Sequence, residues 1–390
     1  MASTLSLTAD LAPTVRVVGD LFVAGAIAGS AFTIITCIIV MSVGSSRRPV
    51  ATVHPPVTIL KPLHGAEPGL YARLAAFCTQ DYAGPVQLVL GVQAASDPAI
   101  KIVRELQARY PDLPIVLQVD PREHGSNRKL SNLINMLSLA QHETLVISDS
   151  DIEVGPNYLA QVVAALENPS VGAASCLYYG VADDSLSGRL AALAINIHFL
   201  PQVIAALRMR LARPCFGATI ALRRGMLNRI GGFRAFRDVL ADDYAIGAAV
   251  RAAGYEVPVL PLMIGHVCLD GGMRPTLVHQ LRIARTIRLI EPRGYAGTIV
   301  AHPFALAVLA ALTGVSGSGM LIGLALCCRF ALCACVRRTF GLPPQPYWLI
   351  PIHDLLAFAI YVVSFAGTTV TWRGLRYRVA DDGSMVEDTA

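Results

Sequence analysis

The sequence predicts an α/β fold in which a mostly parallel sheet is covered by helices, with apolar segments at both ends of the chain. Between residues 57 and 300, short apolar runs rich in β-branched residues alternate with segments of helical periodicity, the pattern of a parallel sheet buried on both faces. Hydrophobic residues make up 54% of the 390 residues and charged residues only 15%, which is more apolar than an ordinary soluble domain. We therefore expect one sizeable domain held at a membrane.

The alternation predicts the elements of the sheet in order. Strands are expected at residues 57–60, 86–92, 115–119 and 144–148. Helices are expected at residues 68–80, 97–110 and 129–140, and another is expected to begin at Asp242. In parallel sheets ligands bind outside the carboxyl ends of the strands, so the residues that follow these strands are the candidates for a site.

Uncharged segments near both ends of the chain predict transmembrane helices. Residues 21–46 carry no charge and are long enough, as a helix, to cross a hydrocarbon core of about 30 Å. The charged residues before this segment, and its length, argue against a cleaved signal peptide. Residues 303–328 form either one span or a hairpin broken at residues 314–319, and a further apolar run follows at residues 355–370. We expect one N-terminal and two to three C-terminal transmembrane helices.

These segments predict the domain boundaries. The expected parts are an N-terminal segment 1–20, a transmembrane helix 21–46, a domain 50–300 with interfacial helices, a transmembrane region 301–371 and a tail 372–390. Arginines follow the first and last spans, at Arg47, Arg48, Arg373, Arg376 and Arg378. Because positive residues favour the cytoplasmic side, we expect the domain and the tail to face the cytoplasm.

Charge and cysteine usage argue against several classes of protein. The net charge is only +5, and the sequence has no basic stripe with interleaved aromatic residues, so nucleic-acid binding is not expected. Of the nine cysteines, five lie in the apolar runs and none forms a CxxC pair. We therefore expect neither a disulfide framework nor a zinc site, but small apolar side chains in a reducing compartment.

Two carboxylates, Asp149 and Asp151, follow the last predicted strand of the parallel series. Ionised carboxylates are unfavourable in a low-dielectric environment, and a divalent cation removes the penalty. Mg²⁺ or Mn²⁺ prefers oxygen ligands and often binds through one or two carboxylates and substrate phosphates. On an extended segment both side chains face one side, as a metal–diphosphate site requires. The alternative is that one of them caps the helix expected near Pro156.

Three further charged segments accompany this pair. Lys129 lies at the start of a helix after a Gly-Ser turn, where it would hold phosphate oxygens or belong to a solvated basic face. Asp242 and Asp243 open another helix, where acids are favoured by the helix dipole, and one of them is free to act as a general base. Arg282 and Arg285 lie on a helix before the C-terminal membrane region and would meet lipid headgroups or a diphosphate.

Together these segments resemble the ceramide glucosyltransferase family, within the inverting, nucleotide-sugar-dependent GT-A glycosyltransferases, over residues 58–303. The resemblance rests on nine motifs in the family's order, LKPLHGAEPGL, QDY, GVQAASDPA, VDPREHGSNRKLSNLINML, VISDSDIEVGPNYL, CFGATIALRR, IGGF, LADDY and LRIART, with further similarity at TVTWRGLRYRV. The motifs are most similar to those of bacterial hopanoid-biosynthesis-associated glycosyltransferases. The resemblance implies a Rossmann-like GT-A domain on the cytoplasmic side of a bacterial inner membrane.

The resemblance also implies a donor site. Asp97 would lie in the nucleotide pocket that begins at Lys61, and Asp149 would be the second acidic position of the family. Asp149 and Asp151 would form a metal-binding DxD motif for Mg²⁺ or Mn²⁺. Lys129 lies within a motif that carries the resemblance and would contact the phosphates of the UDP-sugar.

The chemistry that the resemblance implies is a single inverting displacement. Asp243, next to Asp242, would take a proton from the acceptor hydroxyl, and an α-linked donor would give a β-linked product. Arg282 and Arg285 fall where the family carries a Gln/Arg-x-x-Arg-Trp motif and would neutralise the departing UDP. This sequence departs from that motif because Thr286 replaces the tryptophan.

A membrane lipid is the expected acceptor, because the domain is tied to the membrane on both sides. The apolar run 186–213 would lie in the membrane interface and admit a lipid, or form a core helix. The resemblance favours a hopanoid polyol and UDP-N-acetylglucosamine; ceramide with UDP-glucose or UDP-glucuronic acid, and a polyprenyl phosphate, stay open. A processive polysaccharide synthase would carry the complete basic motif and more spans, and a transporter or scaffold would not need the acids.

Overall fold

The computed structural model describes residues 2–44, 51–269, 271–372, 375–379 and 385–387. The chain forms two compact units. The helical unit comprises Met1–Ser45, Asp184–Ala212 and Asp270–Gly367, and the sheet unit comprises Ser46–Asp183, Arg213–Leu269 and Thr368–Ala390. The arginines at 47, 48 and 373, on which the predicted orientation rests, lie outside the described residues.

The elements are numbered along the chain. The helices are α1 Ala2–Gly44, α2 Leu70–Cys78, α3 Ala99–Arg109, α4 Arg128–Leu137, α5 Tyr158–Ala164, α6 Leu186–Leu193, α7 Leu200–Arg208, α8 Arg224–Arg229, α9 Asp242–Ala252, α10 Met273–Ile290, α11 Pro292–Gly297, α12 Pro303–Leu312, α13 Ser318–Phe340 and α14 Ile350–Ser364. The strands are β1 Val57–Pro62, β2 Val86–Val92, β3 Ile115–Val119, β4 Thr144–Ile147, β5 Ile152–Glu153, β6 Ala173–Ala182, β7 Ile220–Arg223, β8 Val259–Cys268, β9 Thr369–Trp372, β10 Leu375–Val379 and β11 Met385–Glu387.

An eight-stranded sheet forms the centre of the sheet unit, in the order β3-β2-β1-β4-β7-β6-β8-β5. The first four strands are parallel, with Val57 of β1 opposite Val86 of β2 and Thr144 of β4. Strand β7 is antiparallel to its two neighbours, β4 and β6. Strand β6 runs parallel to β8, and the edge strand β5 is antiparallel to β8. The predicted mostly parallel α/β sheet is confirmed.

Apolar side chains on both faces of this sheet explain why its strands are continuous hydrophobic runs. Ile59 of β1 packs with residues of α2 and α3 on one face, whereas Leu60 packs with residues of α4 on the other. Successive side chains of a strand point to opposite faces, so a strand buried on both faces needs no polar alternation. The predicted strand bounds 86–92 and 115–119 agree with β2 and β3, and the helices differ from prediction by one to three residues at each end.

The prediction of an extended segment at Asp149–Asp151 is wrong. Ser150 and Asp151 form a turn between β4 and the short strand β5. The turn is needed because β5 pairs with β8, through Ile152 and His266, at the far edge of the sheet from β4. The two carboxylates therefore leave the chain from a bend and not from a strand.

Among the residues that the structure describes, four helices are long and apolar enough to cross a membrane, Thr14–Gly44, Leu186–Arg208, Ser318–Phe340 and Tyr347–Ser364. A fifth candidate is the pair Pro292–Ala301 and Pro303–Leu312, which is bent by 68°. The C-terminal helices agree with the predicted two to three spans, and the break before Ser318 matches the hairpin alternative. Helices α6, α7 and α10, which the sequence placed in the 50–300 domain, belong to the helical unit.

Candidate active site

The strand order brings the segment after β4 next to the segment before β7. Strands β4 and β7 are antiparallel, and Ile147, the last residue of β4, pairs with Ile220, the first residue of β7. Asp149 follows β4 and Gly217 precedes β7, so the two meet at one edge of the sheet. This edge carries the carboxyl ends of the parallel strands, where sites of such sheets form.

Hydrogen bonds set the N-terminus of α4 beside that of α9. The backbone N–H of Asn127 donates to the carbonyl of Arg237 at 2.8 Å, and its side chain donates to the carbonyl of Val239 at 2.9 Å. Ser126 donates its N–H to Asp238 at 2.9 Å. The side chain of Asn127 also accepts from the N–H of Leu130, which caps α4. These contacts fix Lys129, on the first turn of α4, close to the acids that open α9.

Lys129 and three carboxylates form the charged centre of the site. The Lys129 Nζ lies 2.8 Å from Oδ1 of Asp149 and 3.4 Å from Oδ2 of Asp242. Asp243 accepts the N–H of Gly217 at 2.8 Å and that of Tyr244 at 2.7 Å. The structure thus brings together Lys129, Asp149, Asp242 and Asp243, which lie up to 114 positions apart in the sequence.

Gly217 has no side chain, and the charged groups of this cluster lie close to the space that a side chain would fill. A methyl group placed on its Cα would lie 3.0 Å from Lys129 Nζ, 3.3 Å from Asp149 Oδ2 and 3.4 Å from Asp243 Oδ2. Contacts of this length are tighter than ordinary van der Waals contact, so any side chain here would press on all three groups. Glycine at this position permits the close approach of backbone and charged groups.

The electrostatics of the cluster favour a base at Asp243. Burial raises the pKa of the Asp243 carboxyl to about 6, and the negative charge of Asp242 acts in the same direction. Burial also lowers the pKa of Lys129, but the carboxylates of Asp149, Asp242 and Asp243 outweigh this effect and hold that pKa above its ordinary value. Lys129 therefore stays charged, while Asp243 is a carboxylate at neutral pH with a pKa close enough to accept a proton efficiently.

Lys61 lies beneath the site and has no exposed surface. Its ammonium donates to the carbonyl of Asp149 at 2.7 Å and to Oγ of Ser148 at 3.2 Å, and lies 3.8 Å from the centre of the Phe77 ring. Burial lowers the pKa of Lys61 to about 7, against the attraction of Asp149 and Asp151. Lys61 supports the backbone of the acid pair, so a direct contact with a nucleotide would need this side chain to move.

Asp151 lies next to His266, with 3.4 Å between Oδ2 and the imidazole Nε2. The pairing of β5 with β8 produces this contact. The other oxygen of Asp151, Oδ1, is buried and has no hydrogen-bond partner among the described residues. Burial raises the pKa of Asp149, Lys129 opposes this, and the charge of Asp151 raises it further. A carboxylate oxygen without a donor, beside a second carboxylate, fits a cation ligand.

No group of three or more His, Cys, Asp or Glu side chains is arranged to hold a metal ion within the part of the chain that the structure describes. A divalent cation at Asp149 and Asp151 would therefore take its remaining oxygen ligands from water or from a bound phosphate. Such incomplete protein coordination is the usual way in which Mg²⁺ binds together with a nucleotide. The residues present fit a metal of this kind.

Three predicted site residues, Asp97, Arg282 and Arg285, lie outside the charged centre formed by Lys129 and the three carboxylates. Asp97 accepts the N–H of Gly65 at 3.1 Å and that of Ala99 at 2.9 Å, which ties the loop after β1 to the start of α3 at the same sheet edge as Asp149. Arg282 and Arg285 lie on α10 in the helical unit, where the Arg285 guanidinium donates to the carbonyl of Ala366 at 2.8 Å. Their predicted roles, like those of the acids, stay predictions.

Sequence reasoning missed two residues of the site, Gly217 and His266. Gly217 lies inside the motif CFGATIALRR, but nothing in the local pattern shows that three charged groups surround it. His266 lies more than a hundred residues from Asp151, in an apolar strand where a lone histidine carries no signal. Only the strand pairing reveals either contact.

Known proteins resemble this chain over most of its length. The profile of glycosyl transferase family 21 matches residues 21–385. Ceramide glucosyltransferase 1 of Caenorhabditis elegans is 23% identical over 313 residues, which cover 77% of this chain and 61% of that protein. The ceramide glucosyltransferase of Komagataella phaffii is 31% identical over 114 residues, which cover 28% of this chain and 22% of that protein. The chain thus spans less than two thirds of the length of these curated relatives.

A solved structure shares the fold. A mannosyltransferase from Pyrobaculum calidifontis, in complex with GDP-Man and Mn²⁺, has a TM-score of 0.50 at 22% identity, with 88% of this chain and 99% of that chain covered. At this identity the likeness shows the fold alone, and it confirms the predicted GT-A architecture. Since the family profile matches almost the whole sequence, the chain belongs to glycosyl transferase family 21.

Proposed function

We propose that this protein is a membrane-bound inverting glycosyltransferase that moves a sugar from a UDP-sugar to the hydroxyl group of a membrane lipid. The observation that carries the proposal is the Asp243 carboxyl, with a pKa of about 6, held beside Lys129 and Asp149 at the carboxyl edge of the sheet. Such a transfer needs a general base and a metal ion for the leaving group. Asp243, as the base, and Asp149, as a candidate metal ligand, both lie next to Gly217.

The donor side of the site would be formed by the acid pair and Lys129. Asp149 and Asp151 would hold Mg²⁺ or Mn²⁺, which when bound neutralises the charge of the departing diphosphate. The Asp151 oxygen that has no hydrogen-bond partner among the described residues supports this assignment, as does the Mn²⁺ complex of the Pyrobaculum calidifontis mannosyltransferase. Asp97 and Lys61 would shape the nucleotide pocket by fixing the loops after β1 and β4.

The acceptor side would be formed by Asp243. In the proposed reaction the acceptor oxygen attacks the anomeric carbon, the bond from that carbon to the UDP oxygen breaks, and the hydroxyl proton passes to Asp243. Asp242 and Lys129 would tune this base, because Asp242 raises its pKa and Lys129 lowers it. Arg282 and Arg285 would add positive charge for the leaving diphosphate. A single displacement inverts the anomeric configuration.

The acceptor that we propose is a hopanoid polyol, with UDP-N-acetylglucosamine as donor, on the strength of the motif resemblance. Ceramide with UDP-glucose or UDP-glucuronic acid is the second candidate, favoured because the curated relatives are named ceramide glucosyltransferases. The four apolar helices support a membrane location, for which we propose the bacterial inner membrane with the sheet unit facing the cytoplasm.

The test uses the full chain purified in detergent with Mn²⁺ or Mg²⁺. The three UDP-sugars are offered with a hopanoid polyol, a ceramide and a polyprenyl phosphate, and mass spectrometry identifies the products. Asp149→Asn and Asp243→Asn should abolish transfer, whereas Asp112→Asn, at an exposed position, should leave it unchanged. Transfer to polyprenyl phosphate alone, or transfer that survives Asp243→Asn, would overturn the proposed hydroxyl acceptor.

A further inference from the structure

Three imidazoles meet inside the helical unit. The ring centres of His198 and His302 are 4.8 Å apart, and those of His198 and His353 are 6.1 Å apart. His302 and His353 are almost completely buried, at 3% and 1% exposure. Histidines are rare among apolar helices of this kind and mark functional positions there unless they are fully paired.

Two of these histidines, His198 and His302, lie where the helical backbone is irregular. His198 lies in a π-helical turn, Ala194–Phe199, between α6 and α7. His302 lies at the break where the helix pair Pro292–Ala301 and Pro303–Leu312 bends by 68°. Single π-helical turns occur often at functional sites, and broken helices at membrane depth are tolerated where they line a cavity or are buried in protein. Two independent irregularities therefore converge on one cluster.

A buried ion pair orients the third histidine. Arg329 and Asp354, at 3% and 4% exposure, form a bidentate pair with distances of 2.7 and 2.8 Å. The Nδ1 of His353 lies 3.3 Å from Oδ1 of Asp354. Since an ionised carboxylate only accepts, the imidazole donates from Nδ1, and a neutral ring then presents an acceptor at Nε2. That Nε2 is buried and has no hydrogen-bond partner among the described residues.

A small cavity lies beside His198, the one histidine of the cluster that lines it. Its volume is about 10 Å³, and its polar lining comes from Thr33, Thr36, His198, Gln202 and Arg329. A space of this size holds one water-sized group. Because Arg329 is already neutralised by Asp354, the site offers hydrogen bonds without net charge, which suits a hydroxyl group and not a phosphate.

We infer that this cluster is a hydroxyl-binding subsite for the lipid acceptor, built into the helical unit by His198, His302 and His353. The inference deepens the proposed function, on which its link to the reaction rests. His198 and Gln202 line the cavity and would bond the hydroxyl there, and the unpartnered Nε2 of His353, in the same cluster, is a further hydrogen-bonding position for a polar lipid group. A polyhydroxylated or amide-bearing lipid is therefore the matching class, and a simple hydrocarbon lipid is not.

The test measures lipid binding without a donor sugar. The full chain in detergent is titrated with the hydroxylated lipid and with its O-methylated analogue, and the rise in melting temperature gives the affinity. His198→Phe should weaken binding of the hydroxylated lipid about tenfold, as expected for a lost buried hydrogen bond, and leave the analogue unaffected. His198→Gln, which keeps hydrogen-bonding groups, should recover part of the affinity. Ser30→Ala, a buried polar residue of the same unit outside the cluster, is the matched control.

Four outcomes decide the inference. Unchanged affinity in both His198→Phe and a second variant, His302→Phe, would show that the cluster only packs helices and would overturn the inference. An equal loss for the lipid and its O-methylated analogue would show that the effect of His198 does not depend on the hydroxyl group, and would overturn the inference as well. A hydroxyl-dependent loss in a protein that transfers no sugar would support the subsite while the proposed function failed. In an active protein, the expected change is a higher KM for the lipid with an unchanged KM for the UDP-sugar.

Discussion

At the scale of single residues, the site depends on how one ammonium is shared among neighbouring acids. Lys129 pairs with Asp149 and Asp242, whereas the hydrogen bonds that Asp243 accepts from the described residues come from backbone N–H groups, one at each of its oxygens. Asp243 therefore keeps a raised pKa that an ion pair would have lowered. The same geometry also suits a structural helix cap, and pH dependence separates the two roles.

We expect the transfer rate to fall as the pH drops below about 6, because Asp243 must be deprotonated to act as the base. Replacing Asp242 by Asn removes a negative charge that raises the pKa of Asp243, so this acid limb should move to lower pH. The measurement is the pH profile of kcat at saturating substrates for both proteins. If the acid limb of the kcat profile lies at the same pH in Asp242→Asn as in the unchanged protein, Asp243 is not the titrating group.

Gly217 gives a steric prediction at the same scale. Gly217→Ala would push a methyl group against Lys129, Asp149 and Asp243, so we expect kcat to fall by at least about tenfold, since small displacements in an active site are costly. Gly155→Ala is the matched control, because nothing lies within 4 Å of a methyl group there. Steady-state kinetics and melting temperatures of both variants check the expectation. Equal activities in the two variants would contradict it.

At the scale of elements, the site is made by bringing two helix N-termini together. Asn127 does this with one side chain, which accepts from Leu130 to cap α4 and donates to Val239 in the segment before α9. Helix caps are local signals, but the second bond spans 112 positions of sequence. The cap could be anticipated from the sequence, whereas its link to α9 could not.

We expect Asn127→Ala to lower the free energy of unfolding by about 2 kcal/mol, because a buried cap and a second buried hydrogen bond are both lost. The rate of transfer should fall as well, since Lys129 would no longer be held against Asp242. Asn157→Ala, at an exposed cap whose side chain makes no capping bond, should change neither quantity. Denaturant unfolding in detergent tests the pair, and similar losses in both variants would count against the role of Asn127.

At the scale of the whole molecule, the connections of the sheet limit which helices cross a membrane. Strands β6 and β7 pair through Ser175 and Ile220, and helix Leu186–Arg208 connects them. Its two ends must therefore lie on one side of the membrane, and a single crossing is excluded although the helix is long enough. Residues 270–367 also leave the sheet unit, and the chain returns to it at Thr368, so we expect this segment to cross an even number of times.

This parity gives a topological prediction. A tag at the C-terminus and a tag inserted in the exposed loop at Asp112 should be accessible from the same side, and a tag at the N-terminus from the other. Protease protection in inside-out vesicles and in intact spheroplasts measures all three. A C-terminal tag on the side opposite to the loop tag would mean that the bent pair Pro292–Leu312 crosses as a third C-terminal span.

The sequence by itself determined the parallel sheet, its first four strands, the apolar helices and the acids that follow the strand ends. These features follow from hydrophobic periodicity and composition, which are local properties of the chain. Only the tertiary structure decided that Ser150 and Asp151 turn, that His266 meets Asp151 and that Gly217 lies among Lys129, Asp149 and Asp243. Each of these depends on strand pairing between distant segments, and the register of such pairing is set by packing of the whole sheet and not by any local pattern.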